Sequence, residues 1–378
     1  MTAAHVSMVI PTYNERDNIE LLVKQLHAIL EQNGHPFEII VVDDDSPDRT
    51  WELVENLARE CPGVRLIRRR DGRGLARAVV RGWREARGDI LAVMDGDLQH
   101  PPETLARLVA AIDDGGADIA VASRNVSGGG VSRWSAPRRA VSWSATLAAA
   151  WILPGTLRTV RDPMSGYFAL RRSVIDGLNL EPEGYKILLE VLVRGRYGRV
   201  TEVPYYFVER SRGGSKLGIR QYWEFITHLG RLAWRSGELE RFLRFCVVGL
   251  SGVFVNMIVL VAVAESGLGY LPAGVAAIET ALISNFLLNE FWSFADLSRR
   301  RPELSARVGR FLKFNLFCAG GAVINLVILW AATEWLGLHF VVSNLIGIAA
   351  ATVWNYGSNA NVTWNSTRAG AGGFGPTI

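Results

Sequence analysis

The residues with the clearest capacity for chemistry are Asp95-Gly96-Asp97-Leu98-Gln99, followed by His100-Pro101-Pro102. Two carboxylates with a carboxamide two residues on are hard oxygen donors, the kind that hold Mg²⁺ or Mn²⁺ against a diphosphate. Acidic turns also serve simply as turns and helix caps, so the surroundings must decide. The stretch follows the apolar run Ile90–Met94 and leads into a helix that starts near Pro102 and Glu103. That places both carboxylates on a loop at the carboxyl end of a strand, where open α/β sheets form their ligand crevices. Two more loops of this kind precede it: Pro11-Thr12-Tyr13-Asn14-Glu15, and Asp43-Asp44-Asp45-Ser46-Pro47-Asp48. The Tyr13 ring could stack on a base, and the carboxylates could accept from ribose or base donors. Asp48 is also placed to cap a helix entering Thr50-Trp51-Glu52. Three acidic loops on one edge would repel one another unless a cation sat among them.

The elements that must position these loops follow from periodicity. Val6–Ile10, Ile39–Val42, Val64–Ile67, Ile90–Met94 and Ile119–Ala122 read as short strands rich in β-branched residues. Amphipathic segments Asp17–Glu31, Asp48–Glu60, Arg73–Arg87 and Pro102–Asp113 lie between them. Strands alternating with helices predict βαβ units and a mostly parallel sheet.

Composition then divides the chain. Its 378 residues suffice for two domains. Charged residues are frequent up to about Glu240, whereas long uncharged runs follow Phe245. Mean hydropathy is +0.15 and the isoelectric point about 9.1, but the net charge is only +4. The basic residues gather beside the apolar runs, which favours anionic lipid over nucleic acid as a partner. Cys61, Cys246 and Cys318 show no metal-ligand spacing and suggest no disulfide framework. No secretory signal is visible at the start, so the first domain is expected to stay in the cytoplasm.

In their order and spacing, Val-Ile-Pro-Thr-Tyr-Asn-Glu, Val-Val-Asp-Asp-Asp-Ser-Pro-Asp and Asp-Gly-Asp-Leu-Gln-His-Pro-Pro resemble family 2 glycosyltransferases of GT-A fold. Within that family the chain is most similar to the polyprenyl (dolichyl) phosphate sugar synthases over roughly the first 220 residues, and its acceptor-side pattern and four spans resemble the mannose synthases among them. The resemblance implies nucleotide-sugar contacts from Pro11, Tyr13, Glu15, Asp44, Asp95, Asp97 and Gln99, with metal ligation by Asp95, Asp97 and Gln99. Ser123-Arg124, the Gly128–Gly130 stretch leading to Trp134 and Arg138, and Asp162-Pro163-Met164-Ser165-Gly166-Tyr167 continue it. Arg124, Arg138 and Ser165 are thereby expected at the acceptor phosphate, and Asp95, Asp97, Arg124 and Arg138 in the catalytic set. Phe207–Lys216 resembles the family's basic signature and adds Arg210 and Lys216 to the nucleotide-sugar contacts. Arginine can grip a phosphate bidentately, lysine as a point charge.

The implied chemistry is the departure of a sugar from a nucleoside diphosphate, with a metal neutralising charge on the leaving group. A lipid phosphate, with its second pKa near 6, would attack as a near-dianion. It needs positive charge to approach another anion rather than a strong base, and none of the six histidines is required. A single displacement inverts the anomeric centre.

Apolar residues from Tyr222 to Trp234 recur at helical spacing beside Arg231 and Arg235, as in a helix lying in a membrane interface; the Pro137–Leu153 segment could equally be interfacial or core. Four spans follow: Phe245–Ala264, Leu268–Asn289, Phe314–Thr333 and Trp335–Tyr356. Arginine and lysine concentrate before the first span and between the second and third, so both termini and the central loop are expected in the cytoplasm. The spans repeat: Arg241-Phe242-Leu243-Arg244-Phe245 returns as Arg310-Phe311-Leu312-Lys313-Phe314, and Asn256 returns as Asn325, each 69 positions on. Asn285-Phe286 and the following Trp292 are echoed by Asn355-Tyr356 and Trp364. This predicts a doubled hairpin, similar to the small four-helix family associated with moving lipid-linked sugars. Glu279 sits inside the second span, where a central carboxylate costs about 3 kcal/mol, and is expected to hide against a neighbouring helix.

The expected organisation is a GT-A (Rossmann-like, mostly parallel α/β) domain over 1–219, an interfacial helix and linker over 220–240, an all-α four-span domain over 241–366 and a disordered tail over 367–378. The expected reaction is transfer of mannose from GDP-mannose to polyprenyl phosphate, dependent on Mg²⁺ or Mn²⁺. UDP-glucose is the rival donor. A processive polysaccharide synthase would show Gln-x-x-Arg-Trp before the spans, which Gln221-Tyr222-Trp223-Glu224 does not supply. A lipid-sugar flippase is the alternative of another class.

Overall fold

The computed structural model describes residues 5–132, 136–154, 160–180, 186–208 and 219–364, with backbone alone for 136–143 and 219–224. The chain forms two compact units, one mainly of residues up to Leu232 and one of residues from Ala233 on.

In the first unit, strands and helices alternate as the periodicity requires: β1 (Val6–Thr12), α1 (Arg16–Gln32), β2 (Phe37–Asp43), α2 (Thr50–Glu60), β3 (Val64–Arg68), α3 (Leu75–Glu85), β4 (Ile90–Val93), α4 (Thr104–Asp113) and β5 (Ile119–Ser123). Then come β6 (Gly130–Val131), α5 (Ala136–Ile152), β7 (Phe168–Arg171), α6 (Ile187–Arg194), β8 (Val200–Pro204), β9 (Tyr206–Phe207) and α7 (Ile219–Arg235). The main sheet has the order β3-β2-β1-β4-β7-β5-β8. All its pairings are parallel except those of β7, which runs antiparallel between β4 and β5. The chain leaves β1 on one side towards β2 and β3, then returns to β1's other side as β4. This reversal opens a crevice at the carboxyl ends of β1 and β4.

The inner strands β1, β2, β4 and β5 are buried on both faces, which is why they read as apolar runs. Met8, Ile10, Ile39, Val41, Ile90 and Ala92 pack with Ile19, Leu22 and Leu26 of α1 and with Leu105, Leu108 and Ile112 of α4. Each fully buried leucine or isoleucine contributes about 1.5–3 kcal/mol. On the opposite face α3 lies close to the sheet because Gly82 has no side chain; a Cβ there would meet Val9 Cγ1 at 2.5 Å.

The second unit consists of α8 (Glu238–Glu265), α9 (Tyr270–Leu288), the short α10 (Ala295–Ser298), α11 (Leu304–Glu334) and α12 (Phe340–Ser358). Among the described residues, four helices are long and apolar enough to cross a membrane. α8 packs along α9 and α11 along α12, the two hairpins anticipated from the repeat. Both α9 and α12 end in a widened π turn, Asn289–Ser293 and Asn359–Thr363. Each turn closes with the same bond, from Phe294 N to Asn289 O (2.8 Å) and from Trp364 N to Asn359 O (2.9 Å). The partner of Trp364 in the repeat is therefore Phe294, not Trp292, and the two rings stack at 4.4 Å and 7°. Asn285 and Asn355 lie 70 positions apart, and that offset carries Phe294 onto Trp364 and Trp292 onto Val362.

Glycines bring the helices of each hairpin together at matching places. Gly252 of α8 faces the Asn285 carboxamide, and Gly321 of α11 faces that of Asn355. Glu279 does not hide. It is exposed, because α9 meets its neighbours through Ala273, Ala277 and Ala281, and Glu279 lies two residues, about 200°, round the helix from Ala277.

Candidate active site

The Asp95–Gln99 loop emerges from β4 against β1. Gly96 packs onto Thr12, where a Cβ would come within 3.2 Å of Thr12 Cγ2. Leu98 adopts φ +59°, a conformation held by the bonds around it. Gln99 N donates to Asp97 Oδ1 at 3.2 Å, Val208 N to Gln99 O at 3.0 Å, and Gln99 Nε2 to Val208 O at 3.1 Å. With its amide nitrogen on Val208, Gln99 keeps its carbonyl oxygen as the end a hard cation would use. Asp97 and Gln99 are buried, and Asp95 is partly exposed. The Asp95 carboxylate is held closely on one side by Gly166, where a Cβ would meet Oδ2 at 2.8 Å. On the other side His100 Nε2 lies 3.5 Å from Oδ2. His100 is buried among the rings of Tyr167, Tyr205 and Phe207.

Among the described residues no group of three or more His, Cys, Asp or Glu side chains could hold a metal. The donor set is instead two carboxylates and one amide oxygen. That suits a hard divalent ion completing its shell with a ligand's phosphate oxygens.

The second acidic loop is neutralised by the protein itself rather than by a shared cation. Asp43 accepts from Thr12 Oγ1 (2.9 Å) and Ser46 N and Oγ (2.8 and 2.7 Å). Asp45 binds Arg68 Nε at 2.6 Å, and Asp48 Oδ1 accepts from Thr50 N at 2.9 Å, but the N-cap of α2 is Arg49, one residue past the position expected. Asp44 accepts from Arg69 Nη1 through Oδ1 (2.6 Å) and from Gly74 N through Oδ2 (2.7 Å). Burial pushes the Asp44 carboxyl above its usual pKa, against the pull of Gly74 N–H and Arg69. Arg69 was not singled out in the sequence, because an arginine among Arg68-Arg69-Arg70 carries no local mark of its partner.

Of the other expected site residues, Pro11 lies inside β1 rather than on the loop, paired with Val42 of β2. Tyr13 follows β1 and carries the Arg73 guanidinium over its ring at 4.4 Å. Glu15 is buried and accepts from Asn18 Nδ2 at 2.9 Å. Arg124 and Ser165 meet across Asp162, whose carboxylate takes Arg124 Nε and Nη2, both at 2.7 Å, and whose carbonyl accepts from Ser165 N at 3.2 Å. Arg210 and Lys216, and the side chain of Arg138, lie outside the described residues.

One cation was missed in the sequence. Lys186, just ahead of α6, donates from Nζ to Met164 O at 2.8 Å. Burial and the nearby Arg124 charge lower its pKa to about 8, while Asp95 and Asp162 pull it back up. Its signal was slight: a lone lysine before the apolar run Ile187–Leu189.

Residues 7–178 match the model for glycosyl transferase family 2, and residues 244–364 that for the GtrA/DPMS transmembrane domain. The dolichol-phosphate mannosyltransferase of Pyrococcus furiosus is 43% identical over 359 residues, covering 95% of this chain and 99% of that protein. The chain belongs to the dolichol-phosphate mannosyltransferase family. The family member of Saccharomyces cerevisiae is 34% identical over 63% of this chain and 92% of its own length. The undecaprenyl-phosphate mannosyltransferase of Micrococcus luteus is 36% identical over 56% of this chain and 87% of its own length. These two relatives cover a smaller share of this chain than the Pyrococcus protein does. The chain is thus a glycosyltransferase and an integral membrane protein, with a GT-A domain followed by four apolar helices.

Proposed function

We propose that this protein transfers mannose from GDP-mannose to a polyprenyl phosphate at the cytoplasmic face of a membrane, with inversion at the anomeric carbon. The observation that carries this reading is the near full-length match to a dolichol-phosphate mannosyltransferase. The acidic loop at the β4 end, with Lys186, Arg124 and Asp162 beside it, supports it. In the reaction a lipid-phosphate oxygen forms a bond to C1 of mannose as the bond from C1 to the GDP β-phosphate oxygen breaks.

Asp95, Asp97 and Gln99 would hold Mg²⁺ or Mn²⁺, which neutralises charge on the departing diphosphate. Lys186, protonated below about pH 8, adds a cation on the same side. Arg124, oriented by Asp162, and Ser165 would contact the acceptor phosphate, a role the family resemblance also gives Arg138. Pro11, Tyr13, Glu15 and Asp44 would take the nucleoside, and the family resemblance assigns Arg210 and Lys216 to the nucleotide sugar as well. Residues 220–240 would lie in the membrane interface and 241–366 span the bilayer. Both termini would be cytoplasmic, as Arg241 and Arg244 at the start of α8 and the basic residues from Arg299 to Lys313 suggest.

The test is incubation of detergent-purified protein with polyprenyl phosphate, Mg²⁺ or Mn²⁺, and either GDP-mannose or UDP-glucose, followed by analysis of the lipid fraction. Mannolipid is expected, lost with EDTA and in Asp97→Ala. Glucolipid without mannolipid would overturn the donor assignment, and a product insensitive to EDTA would overturn the metal.

A further inference from the structure

Arg73 covers one face of the Tyr13 ring. Its guanidinium carbon lies 4.4 Å from the ring centroid. A base inserted between the two planes needs about 7 Å, two van der Waals contacts, so base and guanidinium compete for one surface. The neighbouring arginines differ from it in this respect. Arg68 lies over Trp51 at 3.6 Å but is tied to Asp45, and Arg69 is buried on Asp44. Among the described residues Arg73 makes no hydrogen bond and no ion pair. All five of its N–H donors remain for a ligand.

The backbone on either side is held in place. Gly72 has φ +121° and Gly74 φ +151°, values that other L residues rarely adopt. Gly74 N is pinned to Asp44 Oδ2, and Arg69 Nη2 donates to Gly72 O at 3.0 Å. The segment is thus anchored at both glycines while, among the described residues, the Arg73 side chain between them rests only on the ring of Tyr13.

We propose that Arg73 reads the donor's nucleobase: the base displaces the guanidinium from Tyr13, and the guanidinium then binds the base edge. This rests on the nucleotide-sugar reading above. A planar guanidinium fork matches two adjacent acceptors, and guanine presents such a pair in O6 and N7. Adenine offers a donor beside N7, and uracil has a carbon beside O4. Arg73 therefore selects guanine, and does so by its fork rather than by charge alone.

The test is calorimetric binding of GDP, IDP, ADP and UDP, in Mg²⁺, to detergent-purified full-length protein and its Arg73→Ala and Arg73→Lys variants. Arg73 is exposed, so the fold should survive both changes, which thermal melting checks. Wild type is expected to prefer GDP and IDP, which share O6 and N7. Arg73→Ala should weaken both by about 10- to 100-fold, the value of one bidentate base contact, and leave UDP within about twofold. Arg73→Lys should behave like Arg73→Ala. Unchanged GDP affinity in Arg73→Ala, or full rescue by lysine, would overturn the proposal while leaving the guanine-nucleotide reading standing. Tighter binding of UDP than GDP by wild type would overturn both.

Discussion

Asparagine in place of Asp162 keeps the shape of the side chain and removes its charge. Asp162 is 1% exposed and accepts three bonds from Arg124: from Nε and Nη2, both at 2.7 Å, and from the backbone N at 3.0 Å. Burial disfavours the Arg124 guanidinium charge, and the Asp162 carboxylate more than offsets this, so the Arg124 pKa lies above its usual value. An amide can accept at one oxygen only and turns an N–H₂ towards one of the donors. Removing one member of a buried pair costs about 3–5 kcal/mol. Because the Arg124 side chain retains 12% exposure at the crevice, the lower figure applies, about 3 kcal/mol. In a domain of this size each kcal/mol lowers Tm by about 2–4 °C, so Asp162→Asn should melt about 6–12 °C below wild type. Thermal unfolding of the purified full chain measures this, and hydrogen exchange in β5 and β7 assigns the loss to the first unit. Arg124→Met added to Asp162→Asn removes the stranded charge and should restore part of the stability. A single variant within about 2 °C of wild type, or a double variant less stable than the single, would refute the reasoning.

Lys186 supplies a pH dependence. Its ammonium should aid GDP binding below about pH 8 and be lost above it, so wild-type affinity should fall across that range while Lys186→Met binds GDP more weakly and without the step. The native protein also holds fewer protons at Lys186 than the unfolded chain between about 8 and 10.5, so this residue makes stability rise with pH over that window; a denaturation series that shows the rise equally in Lys186→Met would contradict it. In the membrane unit, Gly252→Ala would place a Cβ 2.4 Å from Asn285 Nδ2 and should cost about 1–3 kcal/mol, with partial rescue by Asn285→Ala in the double variant. Glu290→Gln should destabilise the same unit by about 3–5 kcal/mol, because it strands the buried Arg310; thermal melting in detergent that shows less than about 1 kcal/mol would count against that pair.

What could be read in the sequence was what leaves a local mark. The parallel strands show as β-branched runs and the crevice loops as acidic residues directly behind them, so the sheet edge and its Asp95–Gln99 loop are legible in the sequence. β7 was not, because Phe168–Arg171 is four residues long and its place between β4 and β5 is set by distant pairings. The same limit hid the partners of charge. Asp44 reads as a ligand residue in a run of acids, but its own segment does not announce that its oxygens also accept from Arg69 and Gly74, 25 and 30 positions away. Lys186 has its neighbours at Met164, Arg124 and Asp95, none of which its own segment announces. Glu279 misled for a different reason: the transfer cost was sound, but which way α9 turns its acid is decided by the alanine stripe opposite.

The membrane unit shows how far a repeat can stay symmetric. Glycine under asparagine and the closing bond of each π turn recur in both hairpins, because each lies within one hairpin and can be copied with it. The contacts between hairpins cannot be copied this way, since a charged group needs its opposite across the axis. Glu290 of the first hairpin accepts from Arg310 Nε (2.9 Å) and Trp364 Nε1 (2.8 Å) of the second. The position repeating Glu290 is Ala360, while Arg241, which repeats Arg310, pairs with Glu238 and Asp296 of its own hairpin. Tyr356 then reaches back to Glu238 Oε2 at 3.0 Å. Two different polar links thus flank a shared aromatic stack. A chain in which Ala360 became glutamate would bury a second acid with Arg241 already engaged, so Ala360→Glu should destabilise the unit far more than Ala360→Leu. Equal effects of the two substitutions on melting would mean that crowding, not charge, sets the asymmetry.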